Sequence, residues 1–187
     1  MNTILLGPPG SGKSTQGRLL ARRLGTSTIA TGDLLGDAVQ RDTELGRQAR
    51  EYMDRGSMVP DEIILRLVRE QLAAPEAQGG VVLDGFPRTV RQAQEVHSML
   101  AAKGERIKAA LLLDVPEEEL VRRLLAKASA EERNDEDPEA IQRRLAVYRR
   151  SNAPLVGYYR DLGVLKIVSG TGTVEEVAEG IKRAIGR

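Results

Sequence analysis

Residues 7–14 read GPPGSGKS, a G-x-x-x-x-G-K-[ST] spacing that follows the apolar run NTILL and opens the helical stretch TQGRLLARRLG. Binding a polyphosphate needs that context. Glycines let successive backbone amides curl toward phosphate oxygens, the following helix adds its positive end, and Lys13 supplies a charge for the β and γ phosphates. A hydroxyl at Ser14 or Thr15 reaches Mg2+. The bland alternative, a glycine-rich turn with a chance lysine, does not account for the strand before it and the helix after it. A second apolar run, VVLD, ends in Asp84. An acid there sits beside the loop and holds water on the ion, although a strand-end aspartate also caps turns. Downstream, Arg143, Arg144, Arg149 and Arg150 crowd one stretch. A guanidinium binds two phosphate oxygens at once and stays charged, but these four occupy most faces of one helix, so some are solvated or paired with acids such as Glu139.

These groups have to be positioned by strands and helices in alternation. Short apolar runs at 2–6, 26–30, 81–84, 109–115 and 164–168 predict strands. Apolar stripes at 3.6 spacing predict helices: Ile63, Ile64, Leu67, Val68 and Leu72; Leu120, Val121, Leu124 and Leu125; Val174, Val177, Ala178, Ile181 and Ile185. All three stripes are expected in the core. The stretch ATGDLLGDAV at 30–39 predicts a helix start, with Thr31 or Asp33 as cap and Leu34, Leu35 and Ala38 facing inward. Residues 31–73 read as consecutive helices without a strand, and the polar segment 127–140 as a connector between helices. The alternation predicts an α/β chain with a parallel sheet covered by helices.

A chain of 187 residues supports one well-buried core. Twenty-eight basic against twenty-seven acidic residues leave a charge of +1, so no global field favours nucleic acid or an anionic membrane. The absence of cysteine excludes disulfides and thiolate metal sites and suits a reducing compartment; His97 is the only histidine. No apolar run approaches the roughly 18 residues of a membrane span. The composition predicts a soluble, cytoplasmic protein.

A phosphate loop alone permits a GTPase, a motor or a small kinase, and no guanine-reading N-K-x-D motif is present. After Asp84, however, the chain continues GFPRTVRQ, and here it resembles the nucleoside monophosphate kinases, most closely the adenylate kinase family in its short-lid form. The resemblance spans the whole chain, from the phosphate loop through the TGD stretch and DGFPRT to Arg133–Tyr148 and the GTGT turn at 170–173. It implies a P-loop NTPase-type three-layer fold: a five-stranded parallel sheet, a small helical lobe for the monophosphate and a short lid. The implied division is one kinase domain over 1–187, with a core of 1–29, 60–125 and 137–187, a monophosphate lobe at 30–59 and a lid at 126–136. The implied reaction is reversible phosphoryl transfer from MgATP to AMP giving two ADP, in a monomer.

By the same resemblance, Gly10, Ser11, Gly12, Lys13, Ser14 and Thr15 cradle the ATP phosphates. Arg123 and Lys127 line the ATP side, and Gly172 offers its carbonyl to the ATP base. Thr31, Gly36, Ser57, Met58, Val59, Gly85, Phe86, Pro87, Arg88 and Gln92 surround AMP. Arg133 and Arg144 meet across the transferring phosphates, so that Lys13, Arg88, Arg133 and Arg144 carry catalysis. Ser14, Asp33 and Asp84 serve Mg2+, largely through water. Related UMP/CMP kinases usually have Ala at the position of Thr31 and Asn at that of Thr89. A lid of this length without Cys or His ligands excludes the structural zinc of some relatives.

Three positions depart from the family pattern. Ser14 replaces a customary glycine, and Lys127 replaces an arginine, keeping charge but losing the fork. Gly36 stands where T-G-D-x-L-R normally places an arginine on the AMP phosphate, which leaves that contact missing or taken over by a neighbour such as Arg88 or Arg41. Two other readings follow from this gap: a catalytically weakened ATP-binding sensor, or a kinase for another monophosphate such as UMP or CMP.

Overall fold

The computed structural model describes residues 1–55, 57, 59–130 and 138–186, with the backbone alone at residues 130 and 151. Five parallel strands, β1 (Asn2–Leu6), β2 (Ser27–Ala30), β3 (Val81–Asp84), β4 (Ile107–Asp114) and β5 (Leu165–Ser169), form one sheet in the order β2-β3-β1-β4-β5. Among the described residues the helices are α1 (Lys13–Leu24), α2 (Thr31–Gln40), α3 (Glu44–Asp54), α4 (Asp61–Ala73), α5 (Val90–Ala101), α6 (Glu117–Ala130), α7 (Pro138–Asp161) and α8 (Val174–Ile185). The α/β class and the five-stranded parallel sheet are those expected from the sequence.

Strand alternation divides the core between the two faces of the sheet. Ile4 and Leu6 pack with Val68, Val96, Leu100 and Tyr159 from α4, α5 and α7, whereas Leu5 packs with Leu20, Val177 and Ile181 from α1 and α8. Side chains at i and i+2 share a face, so the continuous apolar run of β1 serves both layers. Two smaller clusters extend outward. Ala38, Leu45, Ala49, Ile63 and Leu67 join α2, α3 and α4; Val115, Leu120, Leu124, Ile141 and Leu145 join α6 to α7.

β1 is flanked by β3 on one side and β4 on the other, both in parallel register. The chain first runs from β1 to β2 and β3, then crosses to β4 and β5, so the order reverses at β1. In open α/β sheets ligands bind beyond the carboxyl ends of the strands at that switch point. The glycine loop leaves β1 there.

Local details differ from the sequence reading in three places. α2 is capped by the backbone of Ala30, without a side-chain cap, because β2 runs directly into the helix; Thr31 is its first residue and Asp33 lies in its first turn. Val174 is 45% exposed, so the α8 stripe begins at Val177. The connector expected at 127–140 is helical at both ends: α6 continues through Ala130, helped by the alanines of its last turns, and Pro138 opens α7. Proline suits that first helical position, where its missing N–H has no intrahelical partner.

Candidate active site

The loop after β1 takes its shape from two glycines. Gly10 (φ 82°) and Gly12 (φ 90°) adopt left-handed conformations, and Gly12 is the N-cap of α1. Only glycine adopts these without strain, and the pair turns the amides of residues 10–14 toward one concavity at a helix N-terminus. A Cβ at Gly10 would lie 3.1 Å from Leu124 Cγ, so the loop is also backed by α6. Lys13 Nζ donates to Pro8 O at 2.8 Å, folding the ammonium over its own loop. Burial pushes its pKa down to about 8; Asp84 opposes the fall, while Arg88 and Arg144 add to it as like charges. Arg144, although on α7, is therefore close enough to share the field of Lys13.

Two cavities open on opposite sides of this loop. One, of about 300 Å³, is lined by Lys13, Ser14, Thr31, Asp33, Asp84 and Arg88, with Arg18, Thr28, Ala30, Gly32 and Gly85 completing it. Asp84 is 5% exposed, and its Oδ1 has no hydrogen-bond partner. A buried carboxylate oxygen left unmatched costs free energy unless something outside the protein engages it. Ser14, Asp33 and Asp84 line this one cavity.

The DGFPRT turn beyond Asp84 is held by its own hydrogen bonds. Thr89 caps α5, its hydroxyl accepting from Gln92 N at 3.2 Å. Gln92 Oε1 accepts from Arg88 N at 2.7 Å, and its Nε2 donates to Asp61 Oδ1 at 2.6 Å. Arg88 Nε donates to Gly85 O at 2.8 Å, leaving its terminal nitrogens for a ligand. Phe86 is 2% exposed and belongs to the main core, and Pro87 is buried, so this part of the motif packs inward and lends the cavity no side chain.

The second cavity, of about 290 Å³, is lined by Ser11, Gly12, Thr15, Arg123, Gly172 and Val174, with Gln16, Glu119, Arg122, Gly170, Thr173 and Val177 around them. Arg123 Nε donates to Glu119 Oε1 at 2.7 Å. Hydrogen bonds from Arg122 and Arg123 hold the partly buried Glu119 carboxyl down to about 2. Gly172 (φ 100°) precedes a capping box: Thr173 Oγ1 accepts from Glu176 N, while Glu176 Oε2 accepts from Thr173 N at 2.8 Å. Gln16 Nε2 donates to Val174 O at 2.9 Å, tying α1 to the start of α8. Exposed Val174, expected in the core, is an apolar edge of this cavity.

The remaining candidates lie elsewhere. Ser57 is exposed, and Val59 packs with the α2–α4 cluster. Lys127, on the last turn of α6, is exposed and has an interaction partner. Gly36 is exposed, with open space where a Cβ would stand. Met58 and Arg133 lie outside the described residues. Arg41, offered by the sequence as a substitute for the missing arginine, follows α2 and does not line the cavity; Arg88 does. So does Arg18, which sequence reasoning passed over. Its signal was position: four residues after Ser14, it shares a face of α1 with the phosphate loop.

Known proteins give the same reading. A family model described as adenylate kinase matches residues 5–164. An adenylate kinase of Thermus thermophilus is 50% identical over 183 residues, covering 98% of this chain and 96% of its own. One from Thermobifida fusca is 44% identical over 99% of this chain and 98% of its own, and one from Brucella melitensis 43% identical over the same shares. A phosphate loop at the sheet's switch point, flanked by two cavities and matched along nearly its whole length by such relatives, places the chain in the adenylate kinase family.

Proposed function

We propose that the two cavities hold the two nucleotides of one reaction. The chain is an enzyme of the adenylate kinase family, and it transfers a phosphoryl group reversibly between ATP and AMP. ATP takes the side of Arg123 and Gly172, its phosphates on the amides of residues 10–15; AMP takes the side of Thr31, Arg88 and Gln92. The observation that carries this reading is the convergence of Lys13, Asp84 and Arg88 on one cavity beside the loop.

Phosphoryl transfer requires the attacking and leaving oxygens in line and the charge on the equatorial oxygens neutralised. Arg88 fixes the acceptor phosphate from below, its guanidinium aimed by the Gly85 carbonyl. Lys13 exchanges Pro8 O for phosphate oxygens, and the arriving negative charge restores its proton affinity. Arg144, from α7, adds positive charge around the group in transit; Arg133, given the same role by the resemblance, lies outside the described residues. Ser14, Asp33 and Asp84 fit Mg2+: Asp84 has an unmatched oxygen, and no three His, Cys, Asp or Glu side chains converge among the described residues, which suits an ion that keeps its water and binds through phosphates. Bound there, the ion would neutralise β and γ oxygens.

Water must be kept from the phosphoryl group, and closure of a lid over the site does so; the mechanism is known from adenylate kinase itself. We assign this to residues 126–136, of which 126–130 end α6 and 131–136 lie outside the described residues, against a monophosphate lobe of 30–59 and a core formed by the rest. One chain's own cleft accommodates both nucleotides, which supports a monomer, and the cysteine-free composition supports a cytoplasmic location.

Incubation with MgATP and a panel of AMP, CMP, UMP, GMP and dTMP, with diphosphate formation as readout, tests the assignment. AMP is the expected acceptor. Preference for UMP or CMP would overturn the acceptor assignment, and ATP binding without turnover on any acceptor would leave the sensor reading in its place.

A further inference from the structure

We infer that Arg18 is a ligand for the acceptor's phosphate, supplied by α1 where α2 offers only Gly36. Arg18 lines the same cavity as Lys13, Asp33, Asp84 and Arg88. It stands one turn beyond Ser14 on α1, a helix drawn close to the sheet by Gly17, where a Cβ would already lie 3.0 Å from Leu5 Cδ1 and 3.9 Å from Asp84 Cβ. Among the described residues the guanidinium of Arg18 has neither a hydrogen bond nor an ion pair, unlike those of Arg23, Arg47, Arg122, Arg123, Arg143 and Arg149, which are all engaged by acids.

Among the side chains that line the cavity, Arg18 tips the balance of charge. Lys13 and Arg88 match the two carboxylates, Asp33 and Asp84, and Arg18 supplies the positive excess a phosphate needs. Space is provided from the opposite wall. A side chain on a helix leans toward the N-terminus and covers the turn before it, so a long residue at 36 would lie over Gly32 and Asp33. With glycine at both 32 and 36, and nothing within 4 Å of a Cβ at either, that strip of α2 is open to a guanidinium reaching across from α1. The fork of an arginine then binds two phosphate oxygens, which a point charge does not.

The inference rests on the AMP-side reading of this cavity, and Arg88→Ala serves as its control. The experiment measures KM for AMP and for ATP in wild type, Arg18→Ala, Arg18→Ala with Gly36→Arg, and Arg88→Ala, at fixed free Mg2+ and again across a Mg2+ series. Loss of a charge-assisted contact raises KM for AMP roughly ten- to a hundredfold in Arg18→Ala. KM for ATP stays within twofold, the melting temperature is unchanged because the site is exposed, and Gly36→Arg lowers KM for AMP again in that background. An effect at Arg88 with KM for AMP within twofold at Arg18 would overturn the Arg18 assignment alone; no effect at either would overturn the AMP-side reading as well. A rise shared equally by ATP, a rise that Gly36→Arg fails to reverse, or an altered Mg2+ dependence at unchanged AMP affinity would also overturn it, placing Arg18 in the helix or at the metal instead.

Discussion

Gln92 Nε2 donates to the carboxylate of Asp61 across 2.6 Å, joining the first turn of α5 to the first turn of α4. Gln92 is 3% exposed and its Oε1 accepts from Arg88 N, so the two contacts together set which way its amide faces. If Gln92 meets AMP as proposed, Asp61 positions it. Asp61→Ala is expected to raise KM for AMP roughly tenfold, in keeping with loss of a hydrogen bond to a charged group, while KM for ATP stays within twofold. Asp61→Asn keeps an acceptor oxygen and recovers most of the loss. Steady-state kinetics with each nucleotide varied in turn decides it: parallel changes in both constants would mean that the contact only supports the fold.

Lys13 gives the enzyme an alkaline limit. With its pKa near 8 in the free site, kcat/KM for MgATP falls with a midpoint close to pH 8, whereas kcat, measured on complexes in which phosphates retain the proton, falls at higher pH. Stability runs the other way. The unfolded chain holds the Lys13 proton up to 10.5, so between about 8 and 10.5 the unfolded state binds more protons and the contribution of Lys13 to stability rises with pH. Lys13→Met removes nearly all turnover, leaves a folded chain and flattens the pH dependence of the urea midpoint in that window. A pH–rate profile without an alkaline limb up to pH 10 would show that the free loop keeps its lysine charged.

At the ATP side, Gly172 is held at φ 100°, and a Cβ there would lie 2.5 Å from Glu176 Oε2. Gly172→Ala therefore strains the turn and displaces the glutamate of the α8 capping box. The expected cost is about 1–3 kcal/mol of stability, with KM for ATP raised and KM for AMP little changed. Thermal melting with both kinetic constants checks this; an unchanged KM for ATP would remove the turn from the nucleotide site.

Gly46 allows α3 to lie against α2, because a Cβ would come within 2.0 Å of the Ala38 carbonyl oxygen. That oxygen also accepts from Thr43 N at 3.1 Å, so the backbone has little freedom to withdraw. Overpacking of this kind typically costs about 1–3 kcal/mol, and Gly46→Ala is expected to destabilise by that amount. Its effect falls on AMP rather than ATP, as α2 also carries Thr31. Urea titration and acceptor kinetics are the measurements; full stability would show that α3 swings outward freely.

The glycine loop was legible in the sequence because its shape depends on consecutive residues: spacing from Gly7 to Ser14 fixes amides, lysine and helix start together. Asp84 was legible for a similar reason, since a strand that ends in an acid places it at the carboxyl end of the sheet. Tertiary relations were harder to read. That Phe86 faces the core while Arg88 faces the cavity follows from the turn, which periodicity does not describe. Arg18 sat in an ordinary amphipathic helix, and its place in the cavity depends on β2 and α2 folding back beside α1. Val174 looked like one more member of an apolar stripe, but as the first residue of α8 it lies at an edge of the site.

The reversal of strand order at β1 has an evolutionary consequence. One half of the sheet, β2 and β3, leads to the cavity proposed for AMP; the other half, β4 and β5, leads to the elements around the cavity proposed for ATP, and the two cavities share no lining residue. Changes at residues such as Thr31 or Gly36 can therefore retune the acceptor without redesigning the donor side. The same scaffold is thereby modular, and a contact missing from one wall is open to repair from the wall opposite, the role proposed for Arg18 facing Gly36.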